Sequence, residues 1–98
     1  MEIAAKDISL LEVAIDIFIR TGNPALANEA QRSSNERVAL LCISKLGKED
    51  LVFSQSECRV IYMAISFMLE NLAFVRNPKA MLYSMRLTEL KNIFGTKI

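Results

Sequence analysis

Along this chain, apolar residues recur every three to four positions in stretches separated by short polar breaks, the pattern of helices packed on one another. The longest stretch runs from Val60 to Val75 and is interrupted only by Ser66 and the pair Glu70–Asn71. A helix this apolar buries most of its circumference, and its polar line reduces to Arg59, Ser66 and Glu70. Near the start, Leu11, Ala14, Ile15 and Phe18 form a second stripe. Leu10, Val13, Ile17 and Ile19 widen it until only Glu12, Asp16 and Arg20 stay polar. The last stretch puts Tyr83, Leu87, Leu90 and Phe94 on one side, with Arg86, Glu89 and Lys91 outside. No run shows strict two-residue alternation, and the nearest strand candidate, Leu51–Phe53, is too short. The fold class is all-α.

Start and stop signals divide these stretches. Ser-x-x-Glu boxes occur at Ser9–Glu12, Ser33–Glu36 and Ser54–Glu57, where the hydroxyl can cap a free amide and the Glu can reach back. Gly22, Gly47 and Gly95 stand where a left-handed residue would close a helix. Asn23–Pro24 and Asn77–Pro78 suit a cap followed by a first-turn proline. Together they predict helices near 9–21, 24–32, 36–46, 55–76 and 79–94. The polar, Ala-rich stretch at 23–35 leaves open a second helix that runs on into the third. The expected architecture is one domain over 1–98, a compact bundle of four to five helices. Two helical hairpins are one arrangement of it, suggested by a weak echo of Val13–Ile19 in Met63–Leu69.

Composition adds a consequence. A chain of 98 residues buries only about 60–65% of the surface its unfolded form exposes. With 52% hydrophobic residues, some apolar surface should remain outside the core, which points to self-association or a partner. Net charge is +1, too small to steer the protein towards nucleic acid. The charge is uneven. Residues 1–50 carry six Lys/Arg against eight Asp/Glu (−2), and residues 51–98 carry six against three (+3). Cys42 and Cys58 fall inside apolar patterns and read as reduced core thiols. Met1–Asp7 has no basic lead into an apolar stretch, and Val60–Val75 is too short to span a bilayer. A cytoplasmic protein with no membrane partner is expected.

The chain offers few groups suited to catalysis. With no histidine, a Ser–His pair is impossible, and the commonest general base is missing. The glycines stand singly, so no phosphate loop forms, and no metal-ligand spacing occurs. Glu49–Asp50 reads as a solvated turn, and Glu70 lies on the wet line of its helix. No catalytic residue, cofactor, metal or small-molecule substrate is therefore expected, and the protein is read as non-enzymatic.

Ala14, Ile17, Phe18 and Gly22 fit Ala-x-x-Ile-Phe-x-x-x-Gly, which resembles the opening helix of TetR-type repressors. Leu26–Ser33 is similar to the first helix and turn of helix-turn-helix domains. That resemblance implies a recognition helix at Asn35–Leu46. The chain departs from the pattern at Gln31, where the turn usually has Gly, and at Arg32 and Arg37, where apolar anchors belong. The proposed recognition surface (Val38 to Ile43) is also mostly apolar. The departures outweigh the match, and no family is recognised across the chain.

The sequence is thus read as a protein-binding module with an adaptor, chaperone-like, inhibitor or immunity role, acting as a homodimer. Met63, Phe67 and Phe74 are the candidate contacts, in a region where four methionines lie between Met63 and Met85. The alternative is a small DNA-associated regulator that uses residues 24–46 or a basic patch of Arg76, Lys79, Arg86 and Lys91.

Overall fold

The computed structural model describes residues 3–48 and 52–98. Four α-helices account for most of them: α1 (Ala5–Ile17), α2 (Glu29–Gly47), α3 (Gln55–Leu72) and α4 (Pro78–Gly95). A π-helical turn at Phe18–Gly22 and a 3-10 turn at Asn23–Ala25 join α1 to α2. No strand occurs among the described residues. The bundle expected from the pattern is present, and no described helix is long and apolar enough to cross a membrane.

Helix α3 is the axis. Cys58, Val60, Ile61, Ala64, Ile65 and Met68 are all buried, a spacing that lines more than one face. Helices α1, α2 and α4 each pack on α3, and α1 also meets α2. Leu11, Ala14, Ile15 and Phe18 enter the core from α1, Ala39, Cys42 and Leu46 from α2, and Leu87, Leu90 and Phe94 from α4. Phe53, just before α3, meets Phe94 near the end of α4 edge-on at 5.9 Å. Helices α3 and α4 are therefore antiparallel. The wide apolar arc of Val60–Val75 is covered largely by its own chain, the central-helix outcome.

Several helix boundaries differ from those expected. Of the three Ser-x-x-Glu boxes, only Ser54–Glu57 caps a helix: the Glu57 amide donates to Ser54 Oγ at 3.2 Å and the Ser54 amide to Glu57 Oε1 at 2.7 Å. Ser9–Glu12 lies inside α1, which has already begun at Ala5. Ser33–Glu36 lies inside α2, which starts at the Asn28 cap, where Oδ1 accepts the Gln31 amide at 3.0 Å. The predicted helices 24–32 and 36–46 are thus one helix preceded by a turn, and no bend exists at Gln31–Ser33. Asn77 caps α4 as expected, accepting from Ala80 at 2.8 Å. Asn23 does something else. Fully buried, it donates to the Arg32 carbonyl at 3.0 Å and accepts from Asn35 Nδ2 at 3.0 Å, tying the turn to α2. The Glu49–Asp50 turn and Leu51 lie outside the described residues.

Gly22 is also used differently from expectation. Its backbone is right-handed (φ −74°, ψ −47°), so the position does not require glycine for its dihedrals. Space is the reason: a Cβ there would sit 2.9 Å from Phe18 Cδ1 and 3.0 Å from Phe67 Cδ2.

Candidate protein-binding surface

Because α3 turns its apolar residues inward, the surplus emerges elsewhere. On α4 the buried positions are Ala80, Leu87, Leu90 and Phe94, leaving a gap between 80 and 87. Tyr83 was expected in that stripe, yet it is 47% exposed. There the backbones of α1 and α4 stand apart, bridged by the long Arg86 side chain reaching Asp7 rather than by close helix packing. Between them lies a cleft of about 470 Å³ lined by Lys6, Ser9, Leu10, Val13, Met68 and Tyr83. Around the same turns Met81 (66%), Leu82 (65%) and Met85 (64%) face solvent, and Phe74, in the α3–α4 connection, is 88% exposed. Val75 adds to them, and a groove of about 340 Å³ runs between the end of α3 and Met81 and Met85. This end of the hairpin is an apolar ridge. Isolated exposed hydrophobes are ordinary, whereas several gathered at one end make a candidate contact surface.

A second apolar region lies on α2. Leu40 is 68% exposed, and Leu41 and Ile43 also reach solvent. A groove of about 240 Å³ between α1 and α2 is floored by Ile19, Ala39, Leu40 and Ile43 and edged by Asp16 and Glu36. This surface and Leu82 are not among the contacts expected from the sequence, and Met81 and Met85 enter that expectation only as part of the methionine-rich stretch. The signal was available in the apolar residues left over once the stripe at three-four spacing is removed from each helix.

The sequence candidates are distributed over these features. Met63 and Phe67 come together, half-buried, in a groove of about 290 Å³ with Phe18, Gly22, Leu26 and Glu70. Phe67 packs edge-on against Phe18 with ring centres 6.2 Å apart. Phe74 lies apart from them, beyond the end of α3 and on the ridge. The basic patch also divides. Arg86 Nε and Nη2 donate to Asp7 Oδ1 and Oδ2 at 2.8 and 2.5 Å, and Nη1 donates to Glu89. Lys91 Nζ sits 5.4 Å from the centre of the Tyr62 ring. Arg76 and Lys79 remain exposed at the rim of the ridge.

Electrostatically, two buried carboxylates stand out. The Arg86 bonds hold Asp7 below its ordinary value against burial, which pushes it up, and Asp7 and Glu89 in turn raise Arg86. Burial pushes Glu57 up, but the Lys45 ammonium at 2.7 Å and the Ser54 cap pull harder and leave it lowered. Glu57 Oε2 is buried without a hydrogen-bond partner. Cys42 and Cys58 are free and buried. Desolvation pushes the Cys42 thiol up to about 12, and Glu57 adds to the rise. Among the described residues, no cluster of three or more His, Cys, Asp or Glu side chains forms a metal cage. Comparison with protein-family models, curated proteins and solved structures finds no match to this chain.

Proposed function

We propose that this chain is a non-enzymatic, cytoplasmic protein-binding module acting as a homodimer, and that its principal contact is the ridge formed by Phe74, Met81, Leu82 and Met85. The exposure of those four side chains on one end of the hairpin carries the reading. Large flexible thioethers beside an aromatic anchor suit a surface that repacks against its partner. The reading keeps Phe74 as a contact and gives Met63 and Phe67, half-buried against the core, a secondary role. Adaptor, chaperone-like, inhibitor and immunity roles all use such a surface.

Sedimentation velocity over a concentration series tests the reading. The wild type should gain mass with concentration, and Phe74→Ser/Met85→Glu should lose that gain while keeping its helical circular dichroism. A wild type that stays monomeric throughout, with the variant indistinguishable from it, overturns the reading. Tight duplex DNA binding that weakens steeply with salt would instead favour a regulator acting through Arg76 and Lys79.

A further inference from the structure

The ridge and the α1–α2 groove differ in charge as well as in shape. The segment from Asn71 to Thr88 contains Arg76, Lys79 and Arg86 but no Asp or Glu. Arg86 is engaged by Asp7 and Glu89, so Arg76 and Lys79 give the ridge its positive rim. The groove edge carries Asp16 and Glu36. Asp16 is partly offset by Arg20 at 3.1 Å, which leaves Glu36 as the main negative group beside Leu40 and Ile43. Helix α4 at its exposed end is thus an apolar helix with basic flanks. The groove is an apolar trough with an acidic lip. Helix-in-groove docking rests on the apolar match, and opposite charge at the flanks steers and orients it.

We infer that the occupant of the α1–α2 groove is a second copy of this chain, whose α4 ridge docks there with Met81, Leu82 and Met85 against Ile19, Leu40 and Ile43. This rests on the proposed reading of the ridge as a contact surface and adds which face receives it. Area argues for a reciprocal pair. The four ridge side chains and Tyr83, each exposed by about half or more, present on the order of 500 Å², short of the roughly 800 Å² per partner in a stable complex. When each copy both gives its ridge and receives one, the contact doubles and closes on itself as a twofold dimer.

Two single variants and their mixture test this. Leu40→Glu blocks the groove and leaves the ridge, whereas Met81→Glu blocks the ridge and leaves the groove. Both sites are well exposed in helices, so the fold tolerates the change. Each variant alone should self-associate at least tenfold more weakly than the wild type by sedimentation. Fluorescently labelled Leu40→Glu titrated with Met81→Glu should bind more weakly than the wild type binds itself, since one of the two ridge–groove contacts is intact. Titration with more Leu40→Glu, which leaves neither intact, should not raise the anisotropy over the same range. If Leu40→Glu assembles as well as the wild type, ridge packs on ridge and the inference fails while the ridge reading survives. If the mixture binds no better than either variant alone, the inference fails as well. A wild type that never assembles sinks the underlying reading along with it.

Discussion

The same substitution at two glycines should act with opposite sign. Gly22→Ala and Gly47→Ala each add one methyl group, and neither position has left-handed backbone. Replacing glycine by alanine in helical backbone stabilises by about 0.5–1 kcal/mol, mainly by restricting the unfolded chain. At Gly47 no neighbouring atom lies within 4 Å of the new Cβ, so that gain stands alone. At Gly22 the methyl meets Phe18 at 2.9 Å and Phe67 at 3.0 Å. Phe18 is buried in the core and cannot retreat, while half-buried Phe67 can move only by giving up its edge contact with Phe18. Overpacking of this kind costs about 1–3 kcal/mol. The cost exceeds the gain, for a net loss of about 1 kcal/mol. Urea unfolding followed by circular dichroism reads the difference: with a slope of about 1–2 kcal/mol per M, Gly22→Ala should lower the midpoint by about 0.5–1 M. Gly47→Ala should raise it by about half a molar. A Gly22→Ala protein as stable as the wild type would show that the Phe18–Phe67 contact is loose and refute the argument from space.

Three further outcomes follow from the core and its buried charges. Phe94→Ala removes a fully buried ring and its contact with Phe53, and should cost about 3–5 kcal/mol in urea unfolding; a loss under 1 kcal/mol would mean that the interior is not packed as described. Asp7 and Glu57 have folded values below their ordinary 3.8 and 4.5, so they stabilise the fold above that range, and the contribution drains away as pH falls through the lowered values. The melting temperature should therefore hold from pH 7 to about 5 and drop below pH 4, with Asp7→Asn flattening part of the fall; a decline that begins above pH 6 contradicts this origin. Cys42 and Cys58 should resist iodoacetamide in the native protein and react once it is unfolded in urea; rapid labelling of either in the folded state is the contrary result.

Much of this architecture was legible in the chain because periodicity reports burial directly. Leu11, Ala14, Ile15 and Phe18, read as one stripe, all reach the core, as do Leu87, Leu90 and Phe94. Caps were harder to read, since Ser-x-x-Glu is meaningful only where a helix begins. At Ser9 and Ser33 the upstream residues were already helical, and the backbone amides those hydroxyls would cap are taken. Asp7 could not be found from local pattern. A single acid in a polar opening looks solvated, and what buries it is Arg86, brought in by tertiary packing. The ridge was missed for a related reason. Width of apolar arc shows how much a helix has to hide, but not which neighbour stops short. Tyr83 shares the stripe of Leu87 and Leu90, and only the open space between α1 and α4 leaves it half wet.

The clasp between Asp7 and Arg86 has a temporal side. Its two halves are separated by 79 positions, and a ribosome adding 5–20 amino acids per second takes roughly 4–16 s to travel between them. During that interval the nascent first helix carries a carboxylate without its guanidinium partner. Vectorial synthesis thus leaves this pairing to the end, and the first helix is locked to the last only after the final helix has emerged.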